Sequence, residues 1–424
     1  LYIIRNNGKC IMSFFKKEEL NLLGPFYLIN IIVCLFLVVE PLIVVYFAIK
    51  GFSFAELSLA LAILFITPVF FEVPTGVVAD VFGRKVSVIL SLLFVSLILL
   101  IVPFISSIVS LTILFIFWGI ARTLSTGADQ AWIVDNLKKS KKENLIQEYY
   151  VKNRSFNRAA LMLSGLFAAG LIVLFGKDVI VNFLGINLIG YDFLWFIESA
   201  GFFIAAIILM FVDEHYKPQK ILPKHIFKHS YSHFKSGFRH SYRNPVIFHL
   251  IIAAFFIAVA GGMFGIIYQP FLLELGLPTH YLGYLMSIFG AIGIFLPFIA
   301  RKIFRFIKKE TMYLSFIAVM EAILIFAVFF VVSPLAGLAF MVVIGNIGDL
   351  EKPIQRPYFQ RHLKSKIRAT VASFESMFIH FGVAIAMLIA GGLADLIGPR
   401  ITLVFSGIFF IPAVISYLMI HEKK

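Results

Sequence analysis

Twelve runs of roughly 20 mostly apolar residues follow one another along the chain, each about the length that a helix needs to cross the hydrocarbon of a bilayer. They lie near residues 24–48, 54–77, 86–106, 108–134, 155–175, 191–212, 246–273, 280–299, 312–332, 335–356, 370–393 and 400–420. Hydrophobic residues make up 60% and charged residues 14% of the 424, against about 25% charged in an ordinary soluble domain, so a water-soluble fold is excluded. Backbone polar groups find no water in lipid, which leaves helices as the answer for runs this long. The expected fold class is an all-α membrane protein of about twelve transmembrane helices. The tenth run is the weakest of the set, because its apolar residues stop near Gly348 and Asp349, Glu351 and Lys352 follow directly.

Polytopic proteins gather Lys and Arg in their cytoplasmic segments. With both termini placed on that side, 33 of the 37 basic residues fall in or at the edges of cytoplasmic segments, and only Lys50, Lys177 and Arg400 fall in outside loops. Arg122 alone is assigned to a span. A missing span would scramble this alternation downstream. The same distribution explains the formal charge of +14: the basic residues sit in gaps between apolar runs, not on one soluble face, so no nucleic-acid partner is expected. Cys10 and Cys34 have no metal-ligand spacing around them and are given neither a metal nor a disulfide role. The basic N-terminus followed by a long apolar run without a small-residue cleavage site reads as a first membrane helix, with translation starting at Leu1 or at Met12.

The longest cytoplasmic segment divides six runs from six. This predicts an N-terminal six-helix bundle over residues 1–212, a basic linker over 213–245 and a C-terminal six-helix bundle over 246–424. A faint repeat agrees: a shift of 225 brings Gly51 onto Gly276 and Leu57 onto Leu282, and a shift of 226 brings Gly119 onto Gly345 and Leu137 onto Leu363. In the linker, Phe227, Tyr231, Phe234, Phe238 and Tyr242 recur at helical spacing beside Lys224, Lys228, Lys235, Arg239 and Arg243. Residues 221–243 are thus expected to form an interfacial helix on anionic lipid, each basic residue contributing about 1 kcal/mol near the surface. His225, His229 and His233 repeat at i, i+4 and i+8, either as a metal- or pH-sensing set or as a solvated polar face.

Between the second and third runs the chain reads Glu72-Val-Pro74-Thr75-Gly76-Val-Val-Ala-Asp80-Val-Phe-Gly83-Arg84-Lys85. The glycines permit a tight turn and close helix approach, and Asp80 and Arg84 suit charge-assisted contacts at a membrane edge. Glu72 stands beside the turn and reads as its support. The pattern Gly76-x-x-x-Asp80-x-x-Gly83-Arg84-Lys85 closely resembles the signature of the major facilitator superfamily, at every defined position and in the expected loop. The resemblance implies a secondary transporter whose halves rock around a midplane site, with spans one, four, seven and ten lining the cavity. It also implies that Asp80 helps hold the halves together when the cytoplasmic side is closed, acting near the start of span eleven, Arg368-Ala-Thr370-Val-Ala-Ser373. A helix N-terminus attracts an anion, so that pairing is physically reasonable. Span eleven ends Gly391-Gly-Leu-Ala-Asp395-Leu-Ile-Gly398-Pro-Arg400, an echo of the motif on the outer face, whereas the loop after span eight, Ala300-Arg-Lys-Ile-Phe-Arg305, lacks the Gly and Asp pair. Tyr268-Gln269-Pro270 at the end of span seven is a weaker family feature.

A charge inside a span is a functional candidate by default. Arg122, Ser125, Thr126 and Asp129 fall at i, i+3, i+4 and i+7, one face of a continuous helix, and either line the cavity or form a buried structural group. Glu40, beside Pro41 in span one, is either a proton carrier or the fixed partner of Arg122. Asp349 in span ten and Glu375 in span eleven join Tyr268 and Gln269 as further pathway candidates. Glu198 and Glu321 lie in spans six and nine, which the resemblance places at the periphery, so no cavity role is expected of them.

No phosphate-binding loop of the Gly-x-x-x-x-Gly-Lys-Ser/Thr kind exists to power an ATP-driven pump, and no nucleophile–base or metal constellation points to a membrane enzyme. The expectation is a transporter without a cofactor, driven by a proton or other ion gradient, acting as a monomer in a plasma membrane, a prokaryotic inner membrane by preference. Its partners are a small molecule, protons and membrane lipid. The sequence resembles the drug-efflux branch more than the sugar porters, which favours export of hydrophobic or cationic compounds. Arg122 keeps an imported anionic metabolite open as the alternative, and a non-transporting sensor on the same fold is the third reading.

Overall fold

The computed structural model of the chain describes residues 2–6, 9–13, 15, 17–183, 186–214, 239–363 and 368–420. Its helices, in chain order, are α1 Lys17–Leu35, α2 Ile43–Ile49, α3 Phe54–Phe82, α4 Arg84–Ile101, α5 Ile108–Thr123, α6 Ala128–Lys139, α7 Leu145–Phe175 and α8 Asp192–Met210. Then follow α9 Pro245–Glu274, α10 Tyr281–Gly293, α11 Leu296–Ile307, α12 Glu310–Ala327, α13 Pro334–Ile347, α14 Lys352–Arg361, α15 Arg368–Ser406 and α16 Phe410–Leu418. Two short antiparallel hairpins interrupt the helical pattern expected from the sequence. They are β1 Tyr2–Asn6 with β2 Lys9–Ser13, and β3 Ile180–Phe183 with β4 Ile186–Ile189 in the loop after α7.

Among the described residues, ten helical segments are long and apolar enough to cross a membrane, or eleven when the α10–α11 pair, bent by 54°, counts as one. The last of them, Thr370–Leu418, contains Gly398 at φ +79°, where two helices meet end to end. Several spans outrun their apolar cores. The first starts at Lys17, seven residues before the expected point, because buried Glu19 is matched by Lys152 from α7. The weak tenth run is a membrane-length segment, Pro334–Arg361, with a 3-10 turn at Gly348–Leu350 where the acidic residues begin.

Local chemistry sets the helix ends. Ser53 Oγ accepts the amide of Glu56 at 3.1 Å and Glu56 Oε2 accepts that of Ser53 at 3.0 Å, a reciprocal cap that starts α3. Gly83, at φ +100°, ends α3 and turns the chain into α4, a conformation that costs a residue with a Cβ about 1 kcal/mol or more. Asn244 Oδ1 accepts the amide of Val246 at 3.1 Å, and Pro245 follows at the first helical position of α9.

With α1–α8 taken as a first group of helices and α9–α16 as a second, α3 packs against α15 and α7 against α10 across them. At these seams backbones touch: a Cβ on Gly165 of α7 would lie 2.5 Å from the carbonyl oxygen of Gly283 on α10, and one on Gly391 of α15 would lie 2.5 Å from that of Phe54 on α3. Small residues at membrane helix seams permit such approach. Large apolar side chains, Phe330 and Leu396 among them, cover the outer surface of the helices, as lipid contact requires.

Candidate functional site

Two broken helices bring polar groups into the middle of the bundle. α1 stops at Leu35, and a 3-10 turn over Glu40–Leu42 intervenes before α2. The amides and carbonyls freed by the break must be paired, because water is scarce there. Glu198 Oε2 of α8 accepts the amide of Val39 at 2.9 Å, and Ser164 Oγ of α7 donates to the carbonyl of Leu37 at 3.0 Å. Gln269 of α9 completes the repair from the other helix group. Its Oε1 accepts the amide of Val44 at 3.1 Å, while its Nε2 donates to the carbonyl of Glu40 at 3.0 Å and to the Tyr268 hydroxyl at 3.2 Å. Glu40 itself is exposed.

The second break separates α5 from α6 at Gly127, φ +78°. The four residues of the expected stripe therefore do not lie on one continuous helix. Arg122 lies in the last turn of α5, Ser125 Oγ and Thr126 Oγ1 donate back to its carbonyl at 3.0 and 3.1 Å, and Asp129 lies in the first turn of α6, accepting the amide of Gln130. The turn still leaves all four facing the same cavity.

That cavity has a volume of about 1070 Å³. Its polar lining includes Glu40, Arg122, Ser125, Thr126 and Asp129, with Asn30 and Ser91 beside them, Glu198 in the wall and Tyr268 on the α9 side. Its apolar lining includes Leu64, Phe65, Trp118, Phe289, Ile379 and Met387. Glu40 and Arg122 are exposed to it and lie within electrostatic reach of one another, yet they form no ion pair within 4 Å. Glu198, given no cavity role by the sequence, is a correction: the break in α1 required a buried acceptor, and the neighbouring helix supplies it.

The cavity runs toward the Gly83 end of the bundle. There the core built on Phe26, Trp132, Leu145 and Leu209 belongs wholly to the first helix group, whereas the main core crosses both groups. At the opposite end α3 and α15 pack together. Asp395 Oδ1 and Oδ2 accept the amides of Phe54 and Ala55, at 3.1 and 2.8 Å, from the N-terminus of α3. The acidic residue of the motif echo thus caps a helix of the other group, with Gly391 against Ser58 one turn away.

The loop motif itself is engaged within the first group. Glu214, which follows α8, accepts the amides of Arg84 at 2.6 Å and Lys85 at 3.0 Å and packs on Gly83, where a Cβ would collide with it. The Arg84 guanidinium holds Asp135 of α6, and Lys85 Nζ donates to the carbonyl of Met210 at 2.8 Å. Glu72, Gly76 and Asp80 lie on the last turns of α3, and among the described residues Asp80 makes no hydrogen bond or ion pair. Residues 364–367, beside its expected partner, and most of the 221–243 linker helix with its three histidines lie outside the described residues. Glu214 carried no sequence signal, since its partners are about 130 positions away.

The other pathway candidates sit apart from the cavity lining. Asp349 pairs with Arg158 of α7 and, at 2.7 Å, with Lys352. Glu375 of α15, buried, is held by Arg356 at 2.7 Å and meets Gln355 at 3.4 Å. The spans that line the cavity are chiefly the first, second, third, fourth, sixth and seventh, with the eighth and eleventh closing the far side.

Comparison with known proteins agrees with this architecture. The sequence profile of the Major Facilitator Superfamily matches residues 26–374. An uncharacterized MFS-type transporter of Bacillus subtilis, YxaM, is 24% identical over 388 residues, covering 91% of this chain and 92% of that protein. Among solved structures, the nucleoside transporter NupG superposes with a TM-score of 0.70 at 13% identity, over 94% of this chain and 98% of that one. A bacterial homologue of the human lysosomal transporter Spinster, inward-facing and occupied, gives 0.72 at 16% identity over 96% and 97%. A D-xylose–proton symporter gives 0.69 at 13% identity over 94% and 97%. A multi-span helical chain with this loop signature and a central cavity between two packed helix groups is a membrane transporter, not an enzyme, and it belongs to the major facilitator superfamily.

Proposed function

We propose that the chain is a proton-coupled secondary transporter working by alternating access, with twelve spans in two six-helix halves, residues 1–212 and 246–424, around a linker at 213–245. Separating the helices that meet at Gly398 and joining the bent α10–α11 pair gives twelve spans, and the Lys and Arg distribution supports cytoplasmic termini. The cavity is then open to the cytoplasm and closed outside by the Asp395 cap. Proteins of this family rock their halves around such a site.

The observation that carries the reading is the pairing of a large, mostly apolar cavity with an exposed carboxyl, Glu40, opposite an exposed guanidinium, Arg122. Apolar walls suit a hydrophobic cargo, and Glu40 and Asp129 suit a cation or a proton, which favours an exporter exchanging protons for hydrophobic or cationic compounds. One proton entering down 100 mV supplies about 2.3 kcal/mol, enough for roughly a 50-fold gradient of a neutral solute. A second reading, import of a metabolite together with a proton, is favoured by Arg122, which has no ion-pair partner among the described residues and suits an anionic cargo.

The test is flux into proteoliposomes under an imposed proton gradient, with a lipophilic cationic dye as the first probe. Gradient-driven dye movement falls at least about 10-fold in Glu40→Gln and Asp129→Asn, the loss expected when a general proton carrier is removed. Arg122→Ala leaves dye movement closer to wild type. If dye does not move and a sugar or nucleoside accumulates with the gradient, import replaces export.

A further inference from the structure

The second helix group holds an acid cluster that the cavity does not touch. Glu321 lies on α12, and Glu351 follows the Gly348–Leu350 turn between α13 and α14; they are 7% and 8% exposed. Tyr417 of α16, fully buried, donates its hydroxyl to Glu351 Oε1. Among the described residues, buried Glu321 Oε2 has no hydrogen-bond partner, and its Oε1 packs on Gly348, where a Cβ would come within 2.7 Å.

The charges facing this pair are already committed elsewhere. Asp349, Glu351 and Lys352 on the α13–α14 segment act on Glu321, and Lys352, Arg356, Tyr417 and Glu375 of α15 act on Glu351. Yet Lys352 and Arg158 both hold Asp349, and Arg356 holds Glu375. Tyr313 of α12 spends its hydroxyl on the carbonyl of Leu350 at 2.9 Å. Four carboxyls, Glu321, Asp349, Glu351 and Glu375, stand against three cations, and no cation lies within ion-pair distance of Glu321 or Glu351 among the described residues. A buried carboxylate with neither donor nor cation is strongly disfavoured. Among the described residues no group of three or more metal-ligating side chains gathers here, so a proton is the ligand that this chemistry suits.

We propose that Glu321, Glu351 and Tyr417 form a proton-binding site in the second helix group, and that its loading reaches the Arg158–Asp349 pair between the groups through the Gly348–Leu350 turn. This rests on the proton-coupled reading and adds to it a site separate from Glu40. The step is one proton binding at Glu321 Oε2, which converts carboxylate to acid; nothing is oxidised or reduced. Asp349 and Glu351 flank Leu350, one facing Arg158 on α7 and the other facing Tyr417. When Glu321 ionises, Lys352 gains a competing anion and is drawn from Asp349. Lys352 then no longer repels Arg158, and the Arg158–Asp349 pair tightens. Deprotonation therefore favours the arrangement seen here, open at the Gly83 end, and protonation loosens it.

The experiment uses the full chain in lipid nanodiscs, with Cys10 and Cys34 replaced by serine and spin labels at positions 139 and 302, one on each group at the Gly83 end. Inter-label distance and the infrared band of protonated carboxyl groups are both followed against pH. In the unsubstituted background, the ratio of long to short distances rises about tenfold from acid to alkaline buffer, and a protonated-carboxyl band disappears over the same interval. Glu321→Gln, which mimics the loaded site, loses that band and stays at the short distance at every pH. Should Glu321→Gln not fold, Tyr417→Phe takes its place and shifts the midpoint of both changes. A full distance change in Glu321→Gln, or an unmoved midpoint in Tyr417→Phe, overturns the proposal. If Glu40→Gln abolishes gradient-driven flux while Glu321→Gln keeps its pH response, the transport reading stands and this site falls. If the background protein shows no pH response at all and no gradient-driven flux, both fall together.

Discussion

Single side chains that look alike by composition do different work according to what meets them. Glu19 is fully buried near the start of α1, and Lys152 Nζ reaches its two oxygens at 2.8 and 2.7 Å while Tyr27 donates at 3.0 Å. Two charges in a buried pair attract strongly, but removing one strands the other, at a cost of about 3 kcal/mol or more. Lys152→Met is therefore expected to destabilise the chain by about that amount, read as a shift in the midpoint of chemical unfolding in detergent, with Lys152→Arg recovering most of it. Glu214 acts on a smaller scale, since its carboxylate caps α4 at the membrane edge through the amides of Arg84 and Lys85. Glu214→Gln keeps an acceptor but loses the charge facing the helix terminus, so the expected loss is about 0.5–1 kcal/mol in the same unfolding measurement.

At the scale of the element, the informative features are the places where helices stop. Gln269 alone pairs both an amide and a carbonyl where the break gives way to α2, those of Val44 and Glu40. Gln269→Leu preserves the volume but leaves Val44 N and the Glu40 carbonyl unpaired, each costing about 1–3 kcal/mol. The expected result is a folded protein, by size-exclusion profile, whose gradient-driven flux falls at least about 10-fold because Glu40 no longer holds its place. These breaks also mark how far the sequence could be read. Apolar length placed nearly every membrane segment, since lipid leaves a helix no alternative, and the Gly76–Lys85 pattern placed the family. The polar face at Arg122, Ser125, Thr126 and Asp129 was legible as a set, but its geometry was not: the spacing of a straight helix conceals a turn that depends on Gly127 adopting φ +78°. Glu198 was misjudged for a related reason. Its role follows from backbone amides exposed by a break on another helix, a partnership of residues 159 apart that no local pattern encodes. Asp349, read as a pathway candidate from the faint repeat, and Glu375, read from its charge within a span, pair with Arg158 and Arg356 and are not among the residues that line this cavity.

At the scale of the whole molecule, the two ends of the bundle carry the same short pattern, Gly76-x-x-x-Asp80-x-x-Gly83 and Gly391-x-x-x-Asp395-x-x-Gly398, and the structure engages only one of them across the groups. Asp395 holds the N-terminus of α3, while Asp80 makes no hydrogen bond or ion pair among the described residues. If the two aspartates are alternate latches, each stabilises the state in which its own end is closed, and removing them must shift the equilibrium in opposite directions. Asp395 is exposed, so its two amide bonds are worth about 1.4 kcal/mol together, a tenfold change in population. Spin labels at positions 106 and 274, one on each group at the Asp395 end, report the change. Asp395→Ala is expected to raise the fraction with that end open about tenfold, and Asp80→Ala to lower it. The double variant returns close to wild type, because each substitution removes stabilisation from one state only. A shift of the same sign in both single variants would show that the aspartates support the fold generally rather than its two alternating closures.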